Sequence, residues 1–185
     1  MVKKMKFEQI LEILYNKIME KKHFSRILGI DPGLASTGWG IIESDGIRFK
    51  LIDYGCIETE STWEHGKRLC EIYDVIQTVI KDYKPTESSM ETLYFAKNVT
   101  SAMSVSQARG VVTLALTQNG LPLGEYSPNT IKQSVTGTAS ADKKLVQNCV
   151  KMLLGMDHIP KPDHSADALA AAITHANHAL PSKTS

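Results

Sequence analysis

The sequence predicts a mixed α/β fold, a five-stranded sheet with helices on both faces. Three observations lead there. The body of the chain opens with strand patterns joined by a tight turn. It then alternates strand and helix patterns to its end. Its 185 residues are 42% hydrophobic and 22% charged, the balance of a globular chain long enough to bury a core. An antiparallel meander followed by β/α alternation gives a mixed sheet, because a strand that returns through a helix runs parallel to its neighbour.

The elements follow in order. RILGID is the first strand, GWGIIE the second and IRFKLIDYGCIE the third, where β-branched and aromatic residues flank a glycine. SDG between the second and third is a hairpin turn. Residues 63–83 form a helix with Leu69, Ile72, Ile76, Val79 and Ile80 on one stripe, stopped before Pro85. SSMETLYF is a short strand with Glu91 inside it. VTSAMSVSQARGVVTLALTQNG is a small-residue helix closed by Asn-Gly, suited to close approach by another helix in the core or in a dimer. LPLGEYS is the fifth strand and NTIKQSVTG a short helix. SADKKLVQNCVKMLLGM is a helix in which Ser140 lacks the Glu or Gln of a capping box. DHSADALAAAITHANHAL is the alanine-rich final helix. Ahead of this body, Phe7, Ile10, Leu11, Leu14 and Ile18 stand at helical spacing. Residues 1–25 therefore read as a helical extension that packs on the body or docks a partner, 26–180 as one domain and 181–185 as a tail.

A formal net charge of +1 argues neither for nor against nucleic acid, but residues 91–162 hold seven basic and four acidic side chains. Cys56, Cys70 and Cys149 are widely spaced and odd in number, the pattern of buried thiols in a reducing compartment. No apolar run approaches the ~18 residues of a membrane span. The first residues mix acids with bases and lack a small-residue cleavage site, so no signal peptide is expected and the cytoplasm is the expected compartment.

The chemistry lies in acids standing among apolar or small residues. Asp31 ends the first strand before a Pro-Gly turn, Glu91 lies in the fourth, and Asp163, His164 and Asp167 open the final helix on one shared face. If the first and fourth strands are neighbours, Asp31 and Glu91 emerge together, and the helix brings an imidazole and a carboxylate to the same spot. Carboxylates gathered in one pocket repel unless a cation joins them, and an oxygen-rich set suits magnesium or manganese. Two such ions can activate water and stabilise the leaving oxygen in phosphodiester hydrolysis. Each residue also has a plainer use. Asp31 can be a turn former, Glu91 an exposed strand residue and Asp163 an N-cap, its favoured role. His164 can be a solvated first-turn residue, and Asp167 can serve only the helix dipole.

GIDPGLASTGWGIIE, METLYFAKN, SQARGV, EYSPNTIKQSVTG, SADKKLVQ and DHSADALAAAITHA resemble successive blocks of the RuvC family of bacterial Holliday-junction resolvases, in order from about residue 26 to 178. The resemblance implies an RNase H-like fold, a homodimer, magnesium-dependent symmetric cutting of four-way DNA junctions in recombination and repair, and a branch-migration motor as partner. Asp31, Glu91 and Asp167 match three of the family's metal-binding acids. Position 164 matches the fourth, where the family often has Asp and this chain has His. Imidazole can ligate a divalent ion or handle a proton, and as a neutral ligand it favours manganese. Asp163 is the alternative fourth ligand, with His164 preferred. Tyr94 matches an aromatic that enters the junction centre, where stacking on an unpaired base contributes roughly 1–3 kcal/mol; its plainer use is a core tyrosine. Lys132 and Lys143 match basic residues near the scissile phosphate. Lys97 and Arg109 are weaker matches for DNA contacts, and Arg109 has a structural role as its alternative. The extension falls outside the resemblance. Rival readings are an RNase H-like nuclease acting on RNA, a non-catalytic junction-binding module, and an actin-like ATPase, for which 185 residues leave no second domain.

Overall fold

The computed structural model describes residues 24–92 and 99–178, apart from the side chains of 99–101. Expectations for residues 1–23 and 179–185, and for Tyr94 and Lys97, lie outside the described residues.

Strands β1 (Ser25–Asp31), β2 (Ser36–Ser44), β3 (Phe49–Glu58), β4 (Glu87–Glu91) and β5 (Leu123–Tyr126) form one sheet in the order β3-β2-β1-β4-β5. The first three pair antiparallel, while β4 and β5 join parallel, so the expected mixed five-stranded sheet is present. Helices α1 (His65–Tyr83) and α2 (Val99–Gln118) cover one face. The other face carries α5 (Asp163–His178), with α3 (Pro128–Thr136) and α4 (Lys143–Leu153) packed outside it.

Strand periodicity sorts side chains between the two layers. Leu28, Ile30, Ile41 and Met90 meet Ile72, Ile76 and Val112 on the α1/α2 face. Ile27 and Ile42 meet Leu169 and Ile173 on the α5 face. Asp31 lies two and four residues after Gly29 and Ile27, so its side chain also belongs to the α5 face.

Helix α5 is buried on nearly all sides, which is why its apolar positions are mostly alanine: Ala166, Ala168, Ala170, Ala171 and Ala172 are each 1% exposed or less. It lies so close to the sheet that added side chains would collide. A Cβ at Gly29 would overlap the Ala168 carbonyl, one at Gly38 the His164 carbonyl, and one at Gly40 the Leu169 side chain. These glycines serve close approach, not unusual backbone angles. They set the depth at which the first turn of α5 meets the strand ends.

Two helix starts differ from the sequence expectation. Asp142, not Ser140, caps α4, accepting from the Leu145 N–H at 2.7 Å. Asp163 is the first residue of α5 and spends both oxygens on side chains, so it does not cap the helix. Elsewhere the turn chemistry holds. Ser127 caps α3 ahead of Pro128, and Gly137 closes it at φ 80°.

Candidate metal centre

Asp31 is the last residue of β1, and the Pro32-Gly33 turn behind it is latched by Thr37, whose hydroxyl donates to the Gly33 carbonyl at 2.7 Å. Glu91 is the last residue of β4, not an interior one as the sequence suggested. Because β1 and β4 run parallel with Ile30 opposite Met90, the next residues of each strand, Asp31 and Glu91, finish side by side on the α5 face.

The first turn of α5 completes the site. Ligand atoms of Asp31, His164 and Asp167 all lie within 4.8 Å of one another. His164 Nδ1 meets Asp31 Oδ2 at 2.7 Å, which orients the imidazole. Lys143 Nζ, at the start of α4, is 3.2 Å from Asp167 Oδ2 and equally far from Asp163 Oδ2. Asp163 is turned outward, its other oxygen accepting from Gln147 at 3.0 Å. Of the two candidates for the fourth corner, His164 is therefore the one that joins the cluster. Glu91 and Asp167 share the wall of a cavity of about 200 Å³ that Lys132 and Lys143 also line. Asp31, Glu91 and Arg109 line an adjoining cavity of about 340 Å³.

Acids and bases meet in this pocket. Burial and then the Asp31 and Asp167 carboxylates push the Glu91 carboxyl above its ordinary range, against the pull of Lys132 and Arg109. Burial and then Asp31 raise Asp167 as well, although Lys143 opposes them. The hydrogen bond to Asp31 raises His164. Buried carboxylates that also repel one another are what a divalent cation relieves, and carboxylate oxygens with one imidazole suit magnesium or manganese. The donor set fits such ions.

Of the predicted DNA-contact residues, Lys132 and Lys143 face the cavity beside the acids. Arg109 lines the adjoining cavity, but its guanidinium is engaged within the protein: it donates to the Glu91 carbonyl at 2.5 Å and pairs with Glu125. Sequence reasoning missed Glu125, Gln147 and the glycines beneath α5. The spacing Gly38-Trp39-Gly40 was the available signal, with two side-chain-free positions on one strand face and a large ring on the other.

Residues 27–175 match the family described as crossover junction endodeoxyribonuclease RuvC. The chain belongs to this family. It is 58% identical over 151 residues to the RuvC of Treponema denticola, covering 82% of this chain and 85% of that one. It is 53% identical to the RuvC of Treponema pallidum, covering 82% and 77%. Among solved structures, Thermus thermophilus RuvC in complex with a Holliday junction substrate superposes with a TM-score of 0.81 at 31% identity, covering 84% of this chain and 94% of that one. These RuvC likenesses, with the mixed five-stranded sheet, make the fold RNase H-like. No helix among the described residues is long and apolar enough to cross a membrane.

Proposed function

We propose that this protein resolves four-way DNA junctions in recombination and repair, as a homodimer that cuts two strands of like polarity by divalent-metal-dependent phosphodiester hydrolysis. The observation that carries the reading is the convergence of Asp31, His164 and Asp167 within 4.8 Å, beside Glu91, in a chain of the RuvC family. Magnesium is the assigned ion, two per site, with manganese as the substitute that His164 favours. When bound, such ions supply Lewis-acid activation of water and neutralise charge on the phosphate.

The side chains divide the remaining work. Asp31, Glu91 and Asp167 hold negative charge at the place where a cation must sit. His164, oriented by Asp31, adds a nitrogen that binds an ion or moves a proton. Lys132 and Lys143 bring positive charge to the cavity rim, where a scissile phosphate would approach. Asp163, which accepts from Gln147, pairs with Lys143 there. Tyr94 and Lys97, on the segment following Glu91, are assigned by resemblance to the junction bases and backbone. Met103 and Leu114, exposed on α2, support that helix as the dimer contact. A branch-migration motor is the assigned partner.

The test pairs a synthetic four-way junction with a matched duplex, in magnesium or manganese. The expected result is paired symmetric nicks in the junction alone. Tight junction binding without cleavage in either ion overturns the enzymatic reading, and preferential cutting of RNA overturns the substrate. Equal cleavage by wild type, Tyr94→Ala and Tyr94→Phe removes the stacking assignment.

A further inference from the structure

We infer that Arg109 and Glu125 are a positioning pair for Glu91, holding the end of β4 in place, and that Arg109 does not serve the reaction as a DNA contact. The inference rests on the reading of Glu91 as a metal-site residue.

Sheet geometry is the starting point. Gly124 and Tyr126 of β5 face His175 on the α5 side, so Glu125 between them faces the α1/α2 side, as Leu123 does. In the register, Glu125 stands opposite Met90 and Tyr126 opposite Glu91. Arg109 projects from α2 on that same side, with its side chain only 15% exposed. One guanidinium nitrogen donates to the Glu91 carbonyl at 2.5 Å, and a second engages the Glu125 carboxylate. The Glu91 carboxylate emerges on the opposite face, among the acids. Residue 91 is thus held by its backbone from one side while its side chain works on the other.

This hold comes at the last residue of the strand. β4 ends at Glu91, and one residue later Thr92 donates to the Tyr126 carbonyl from its N–H at 2.8 Å and its hydroxyl at 3.2 Å. A strand end tends to fray, and small displacements of a reacting group are costly. The planar guanidinium can span a carbonyl and a carboxylate at once, which an ammonium cannot do with the same geometry. To meet a phosphate instead, Arg109 would have to abandon both acceptors and leave the Glu125 carboxylate beside an incoming anion.

The experiment uses full-length Arg109→Ala, Arg109→Lys, Glu125→Gln, the Arg109→Ala/Glu125→Gln double variant, and Glu91→Gln. Three quantities are read: single-turnover cleavage of a four-way junction at saturating protein, junction affinity in EDTA, and manganese affinity by calorimetry without DNA. Outer-shell partners of metal sites typically carry about 10–100-fold in metal affinity or activity. Arg109→Ala and Glu125→Gln are each expected to slow cleavage and weaken manganese binding by about tenfold, with junction affinity in EDTA within about twofold. The double variant is expected to be no slower than Arg109→Ala, because residues acting as a unit are non-additive. Arg109→Lys, the variant least disturbing to the fold, is expected to recover only part of the rate. Junction affinity in EDTA that falls about tenfold in Arg109→Ala, with Glu125→Gln behaving as wild type, overturns the inference in favour of a DNA contact. A dead Glu91→Gln beside fully active Arg109 and Glu125 variants overturns the inference alone. A fully active Glu91→Gln overturns the reading of the site beneath it.

Discussion

Two histidine–carboxylate pairs lie under the same helix, on the same face of the same sheet, with the same separation, and they do opposite things. His164 meets Asp31 at 2.7 Å at the start of α5, and His175 meets Glu87 at 2.7 Å about three turns further on. The His175 side chain is 11% exposed, and its second ring nitrogen meets the Tyr126 hydroxyl at 2.9 Å over the gap left by Gly124. The His164 side chain is 44% exposed and faces Asp167 as well as Asp31, with Glu91 close by. The far pair is closed: both nitrogens have partners, and its acid, Glu87, begins β4, whereas Asp31 and Glu91 end their strands. The near pair is open and faces further carboxylates. A histidine beside an acid is therefore no signature of a site; additional carboxylates at the strand ends make it one.

The comparison is broken most severely by Asp31→Asn. Losing one ligand removes several kcal/mol of transition-state stabilisation, so junction cleavage is expected to fall by about a thousandfold, measured in single-turnover assays, with the melting temperature kept or raised. Asp31→Asn cleavage within tenfold of wild type would remove this residue from the centre. Exchanging the histidines sharpens the contrast. His164→Ala is expected to lower cleavage by about tenfold or more and alter the manganese-to-magnesium rate ratio, with little change in thermal stability. Unchanged metal dependence there would return the fourth corner to Asp163. His175→Ala should do the reverse: about 1–3 kcal/mol lost in denaturant unfolding, because Glu87 and Tyr126 lose a buried partner, with cleavage by the folded protein within about twofold.

pH separates the two regions again. Glu91 and Asp167 titrate above their ordinary range in the fold, so their cluster destabilises the ion-free protein as pH rises through the carboxylate range. His164 is also raised, so its stabilising proton is present at low pH and lost as pH passes its folded value. Both signs mean that protons compete with a cation. The gain in melting temperature on adding manganese should therefore grow from pH 5.5 to 8, at roughly 2–4 °C per kcal/mol of binding energy. His175→Ala should leave that trend intact, and Asp31→Asn should flatten it. A gain independent of pH would contradict the picture of raised acids. The smallest expected effect belongs to Lys132→Ala, which should weaken junction binding modestly and lower the salt dependence of the affinity by about one phosphate contact.

Much of this arrangement was legible in the chain. The apolar run before Asp31, with the Pro-Gly stop behind it, placed Asp31 at a strand end because such a run and its turn are local signals. Spacing put His164 and Asp167 on one face because helical periodicity is local too. The adjacency of β1 and β4, on which the site depends, was only a condition in the sequence, and pairing across sixty residues met it. Glu91 read as an interior strand residue because METLYF is apolar enough to continue a strand. The tertiary structure ends β4 there, where the register with β5 runs out. Asp163 read as a cap because Asp commonly caps helices. Its actual partners, Lys143 and Gln147, come from another helix that no local rule could bring near.

By itself, then, the sequence determined the element types, the metal chemistry implied by its acids and, through its family resemblance, the class of reaction. Those depend on short-range periodicity and on the identity of side chains. Only the tertiary structure decided which histidine opens onto the acids and which is sealed, how deeply α5 sinks onto Gly29, Gly38 and Gly40, and that Arg109 turns inward to Glu91 and Glu125. These depend on which distant backbones come into contact, and on which charges remain unpaired once they have.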